Sequence, residues 1–135
     1  MSEIKTNKLT GTSTAGSILV TGEGNSTTTN LQQGLAKSFV CYTTDSSTAI
    51  RSSQSFNISS ISDTGTGQTV VTVTNPLASA DFPNADSGGD DNAGYSTWCD
   101  IDGSTTSARR YNLGTHDFGA MDGKYHAVFS FGDLA

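Results

Sequence analysis

Few residues in this chain are of the kinds that do chemistry, so their types and spacing are the first test. The only two histidines are His116 and His126, and the only two cysteines are Cys41 and Cys99. A zinc site would need all four together, so ordinary surface or core histidines are the preferred reading, and no metal site or cofactor is expected. The cysteines stand far apart in strand-like contexts, which favours free thiols over a disulfide. No G-x-S-x-G occurs: Gly11-Thr12-Ser13-Thr14-Ala15 ends in the wrong residue. Gly119-Ala120-Met121-Asp122-Gly123-Lys124 imitates a phosphate loop, but it is one residue short and Tyr125 replaces the magnesium-binding hydroxyl. Asp100-Ile101-Asp102-Gly103 opens like a calcium loop, yet Tyr111 stands where a closing glutamate belongs. Asp86, Asp90 and Asp91 read as a solvated acidic loop rather than a cation site. What remains is aromatic. Tyr95, Trp98, Tyr111 and Tyr125 lie near polar turns, and such rings either fill a core or stack on sugars and partner surfaces.

The elements that must position these residues are strands. Nineteen Ser and twenty Thr make up more than a quarter of 135 residues, with 15 Gly and only 2 Pro. β-branched Thr favours strands and Gly supplies tight turns, so the chain reads as all-β. Phe39-Val40-Cys41-Tyr42 is a buried strand. Ser55–Ser59 and Thr69–Thr74 flank Asp63–Gly67 as a hairpin, and Asn75-Pro76 ends it. Asp81–Asn92 reads as a polar loop. Further strands are expected at Tyr95–Ile101, Ser107–Leu113 and Lys124–Phe131. The last places Tyr125, Ala127, Phe129 and Phe131 on one face and His126 and Val128 on the other. Five or six short strands make a small antiparallel β-sandwich or barrel over residues 38–135.

Residues 1–37 differ. Ile4–Leu9 and Ser17–Thr21 are weak strand signals, and Leu31–Lys37 is compatible with one helical turn. Their few apolar side chains, at about 25 cal/mol per Å² buried, cannot offset ordering costs of about 1–2 kcal/mol per residue. If this arm is ordered, something outside its own chain must order it. Charge is also divided. Lys5, Lys8 and Lys37 against Glu3 and Glu23 give the arm +1, and four basic against eleven acidic residues give the rest −7. An acidic body disfavours nucleic acid as a partner. No apolar run approaches the roughly 20 residues of a membrane span, so no membrane insertion is expected, and no stretch reads as a signal peptide.

Three stretches resemble small β proteins encoded by marine bacteriophages, of the tail-fibre-like or virion structural kind. They are IKTNKLTGTSTAGSILVTGEGNSTTTNLQQGLAK, SFNISSISDTGTGQTVVTVTNPL and HAVFSFGDLA. In such proteins an arm of the form IKxNxLxGxxxAGxIxVxxEG leads through LQQGLAK into a distal domain, and the loops corresponding to Asp81–Asp122 vary. The resemblance implies a non-enzymatic homotrimer located in the virion and made in the bacterial cytoplasm. Its stem, residues 1–37, would dock to another virion protein, and its head would face the host. It makes Ile4, Leu9, Ile18, Val20, Leu31 and Leu35 candidates for the trimer interface. Tyr95, Trp98, Arg109, Arg110, Tyr111 and His116, in or beside the variable loops, become candidates for binding a host glycan or protein. Two alternatives accompany this reading: a capsid decoration protein clamped to the coat lattice, and a small glycan-degrading head using an unmarked pair among the Asp81–Asp122 carboxylates.

Overall fold

The computed structural model describes residues 4–11, 18–21, 28–31, 34–89, 95–100, 102–115 and 119–135. The chain divides into two compact units, Met1–Leu35 and Ala36–Ala135.

Among its described residues the first unit holds a two-stranded ribbon. β1 (Leu19–Thr21) pairs antiparallel with β2 (Thr28–Asn30), and the Leu31 amide donates to the Ile18 carbonyl beside it. The strand expected over Ile4–Leu9 does not form. Instead the Thr6 hydroxyl donates to the Lys8 carbonyl at 2.7 Å and accepts from the Lys8 amide, closing a local turn that competes with extended pairing. The helical turn expected at Leu31–Lys37 is also not found, since the described residues contain no helix. Gln32 and Gln33, in its middle, lie outside the described residues.

The described residues of the second unit form a β-sandwich of eight strands. They are β3 (Ser38–Thr43), β4 (Ala49–Phe56), β5 (Ile58–Gly65), β6 (Gln68–Val73), β7 (Asn84–Gly89), β8 (Tyr95–Asp100), β9 (Ala108–Thr115) and β10 (Tyr125–Ser130). One sheet has the order β4-β3-β10-β7 and the other β5-β6-β9-β8, with every pairing antiparallel. Inward residues alternate with outward ones, as the pleat requires. Val40 and Tyr42 of β3, Val71 of β6, Tyr111 of β9 and Val128 of β10 form the core, with Ile58, Ile61 and Cys99 packed against it.

Three local features fix this arrangement. The stretch expected as one strand, Ser55–Ser59, is instead a corner. Asn57, at φ 57°, passes the chain from β4 in one sheet to β5 in the other. Asparagine tolerates that backbone, and here its side chain also works. Its Nδ2 donates to the Lys37 and Asn75 carbonyls, while its Oδ1 accepts from the Asn75 amide at 2.8 Å. At the β5–β6 turn, Gly67 has φ 69°, and a Cβ there would come within 2.5 Å of the Leu113 carbonyl oxygen. Finally, the C-terminus is clamped. Ala78 donates to Asp133, Ala135 donates to Pro76, and the neighbouring Leu77 is buried.

β7 corrects the expectation of a polar loop over Asp81–Asn92. Asn84–Gly89 has poor strand propensity, but it pairs residue for residue with β10, from Asn84↔Ser130 to Gly89↔Tyr125. Cross-strand context outweighs propensity here. Asn84 Oδ1 accepts from the Tyr111 and Ser130 hydroxyls, at 3.2 and 3.3 Å, which gives those two inward groups a partner. No helix among the described residues is long and apolar enough to cross a membrane.

Candidate binding surfaces

The residues expected to contact a host do not form one surface. β9 sends Arg109, Tyr111 and Leu113 inward, all buried, while Arg110 and Asn112 face out. Tyr111 is 2% exposed, and its hydroxyl donates to Asn84 inside the sandwich. Burial pushes that hydroxyl's pKa up to about 12, so it is a neutral donor throughout the physiological range. The Tyr42 hydroxyl is driven up by the same desolvation. Arg109 is 4% exposed. Its guanidinium lies 3.7 Å over the Phe82 ring and donates to the Phe82 carbonyl. With Cys99 and Asn84 it lines an open hollow of about 400 Å³, where burial also raises the Cys99 thiol's pKa. Arg109 and Tyr111 are therefore core residues, a correction that follows from strand phase: adjacent Arg109 and Arg110 must point to opposite faces.

Trp98 and Arg110 do share an outer face. Trp98 is 40% exposed, and its indole lies over Gly114, where a Cβ would approach the ring to 2.8 Å. Arg110 pairs with Asp100 at 3.2 Å on the same face. Partial desolvation works to raise the Asp100 pKa, but the Gly103 amide and Arg110 hold it below the usual carboxylate value. Tyr95 opens β8, with no description of its side chain, and His116 lies outside the described residues. Around Trp98 this face is polar. Ser60 and Ser62 of β5, Gln68 and Thr72 of β6, and Asn112 of β9 alternate outward with the apolar Val70 and Ala108.

The opposite sheet carries the surface that the sequence reading missed. Phe39, Phe56 and Phe129 stand side by side on the outer face of β3, β4 and β10. The Phe39 ring lies 5.9 Å from Phe56 and 6.1 Å from Phe129, spacings at which aromatic pairs attract. Phe56 is 55% exposed, and Phe129 and Tyr125 are exposed as well. Cys41 and Ala127 lie between the rings and Tyr125 on this face. Both cysteines are free thiols, one outward on this sheet and one inward on the other. The signal was present in the sequence, since Tyr125, Ala127 and Phe129 are in phase, but phase does not say which face is covered.

Beneath this surface, His126 stacks on Tyr42 with centroids 4.5 Å apart, and its Nε2 lies 3.3 Å from the Thr44 hydroxyl. Desolvation lowers its pKa against the opposing pull of the Gly123 backbone and Asp122.

Among the described residues no group of three or more metal-ligating side chains comes together. The chain matches no protein-family profile, no curated protein and no solved structure.

Proposed function

We propose that this chain is a homotrimeric bacteriophage virion protein, tail-fibre- or spike-like, that attaches the particle to its host. The observation that carries the reading is the stem. The segment that bears the phage-like motif is also the one whose apolar side chains stand in water. Ile4 is 89% and Leu9 62% exposed, and Leu19, Val20 and Leu35 are exposed on or beside a ribbon of three-residue strands. An isolated two-stranded ribbon is marginal in water. Three copies wound together give those side chains cover and give the strand edges partners, and closed symmetry stops the process at a finite assembly. The phenylalanine cluster on the head calls for cover of the same kind. Three heads then bind weakly and together, with avidity set by effective concentration rather than by one tight site.

Removing residues 1–33 tests the stem. The truncated chain should keep a folded head but dissociate at concentrations where the full chain is trimeric by light scattering. A truncated chain as stably trimeric as the full one sinks this account.

One observation favours a second reading, a capsid decoration protein. With Arg109 and Tyr111 in the core, the expected host-contact set shrinks to Trp98 and Arg110 among the residues whose side chains are described. Cryo-electron microscopy of the virion separates the two. Density for this chain at the tail supports attachment, and density spread over the coat lattice supports decoration.

A further inference from the structure

The outer face of the β4-β3-β10-β7 sheet changes character along β10. Beyond the phenylalanines, at the Tyr125 end, a groove of about 440 Å³ crosses all four strands. Arg51 and Gln54 come from β4, Cys41 from β3, Tyr125 from β10, and Ser87 and Gly89 from β7. The bulge in β4 makes this possible. Ser53 at φ 56° shifts the register, so Arg51 and Gln54 both border the groove. The volume falls within the roughly 300–1,000 Å³ typical of small-molecule sites.

Two residues give the groove its chemistry. Arg51 is held at two points: its Nη1 donates to the Lys124 carbonyl at 2.7 Å, and its guanidinium carbon sits 4.1 Å from the Tyr125 ring centroid. A guanidinium has five donors in a fixed fork, so most remain for a ligand, and no acidic side chain is among the groove's described lining residues. On a chain of net charge −6, a fixed cation whose described neighbours in the groove carry no acid selects an anionic group. Gly89 is the second. Its backbone is not left-handed, and a Cβ there would meet nothing within 4 Å. Its neighbour Gly88 faces inward, where a Cβ would come within 2.6 Å of both Leu113 and Thr97. Packing explains Gly88 but not Gly89, and glycine in a strand often marks a close approach by a ligand.

We propose that this groove binds a carboxylate-bearing sugar, a uronic-acid residue of a surface polysaccharide. Its carboxylate sits on Arg51, its ring spans the floor at Gly89 beside Tyr125, and its hydroxyls reach the Gln54 amide and the Ser87 hydroxyl. An extended peptide fits less well, because β10 already pairs on both sides across the groove and leaves no backbone groups to meet it. The inference rests on the attachment reading and gives it a ligand class.

Calorimetry of the full chain with a glucuronic-acid disaccharide, the matching glucose disaccharide and acetate tests it. The uronate should bind, and both controls should be weaker by about tenfold or more, the usual effect of losing a charge-assisted pair or the ring contacts. Arg51→Gln should lose about tenfold, and Gly89→Leu should abolish binding with an unchanged melting temperature, because its side chain enters open space. Equal binding of both disaccharides, acetate binding as tightly as the uronate, or retention by Gly89→Leu overturns the proposal. Competition separates it from the attachment reading. If the soluble chain blocks adsorption of particles that carry it and Gly89→Leu blocks equally well, attachment stands and the groove falls. If the uronate binds in the groove but the chain never affects adsorption, the groove stands and attachment falls.

Discussion

The two outer faces of the sandwich are built from strands of similar length with the same alternation, yet they present opposite surfaces. On β5-β6-β9-β8 the outward positions are mostly hydroxyls and amides, with one ion pair and one indole laid on a glycine. On β4-β3-β10-β7 phenylalanines, a tyrosine, an alanine and a thiol stand beside Arg51, Gln54 and Ser87. An antiparallel sheet can leave one face in water, and alternation then places polar residues there. The first sheet obeys that rule and the second breaks it. Exposed aromatic surface costs solubility and is kept where it meets something. A sheet face can thus carry a function that no motif announces.

The comparison can be broken most directly with a charge. Phe129→Asp should weaken association between copies by about a hundredfold, since burying one large apolar side chain contributes about 1.5–3 kcal/mol. Thr72→Asp on the polar face should leave association unchanged. Sedimentation equilibrium reads both, and an equal effect from the two variants would show that the aromatic face is not a contact.

The glycines sharpen the same contrast at the level of stability. Gly114→Ala drives a Cβ against Trp98 and the Gly119 carbonyl and should cost about 1–3 kcal/mol in chemical denaturation. Gly89→Ala, on the other face, should stay within about 0.5 kcal/mol of the wild type.

Acid should act on the side of β10 that lies under the aromatic face. The folded-state pKa of His126 is lowered by desolvation below its unfolded value of about 6.5. Between those two values the unfolded chain binds more protons, so stability is complete above about pH 7 and falls as pH drops through 6.5 toward the folded pKa. His126→Gln should flatten the melting temperature over that window, and a wild-type curve already flat there would contradict the assignment. A small effect is also expected at the surface ion pair: Arg110→Ala should cost about 0–1 kcal/mol, because the Asp100 pair is partly exposed and screened.

Legibility differed between fold and surface for the same physical reason. β3, β6, β8, β9 and β10 could be read from periodicity, because alternation is local. A hairpin ending in β6 could be read from its turn glycines, but its first strand was placed at Ser55–Ser59 where β5 runs over Ile58–Gly65. β7 could not, since Asn84–Gly89 becomes a strand only through β10 beside it. Nor could the corner at Asn57, which depends on carbonyls and an amide supplied by Lys37 and Asn75. Among the surface residues, Trp98 and Arg110 could be read as exposed. Arg109 and Tyr111 were misread because their neighbours are polar turns, while their own partners, Phe82 and Asn84, are 27 residues away.

By itself the sequence determined an all-β chain, a first segment sparse in apolar residues, and the in-phase sets along each strand. Composition and period suffice for those, because both act within a few residues. The tertiary structure alone decided which set goes inside. On β10 it buried His126, Val128 and Ser130 and left Tyr125 and Phe129 in water. The polar members of the inner set found partners: Ser130 donates to Asn84, and His126 reaches Thr44 and stacks on Tyr42. A period of two defines two faces of a strand, and only the second sheet chooses between them.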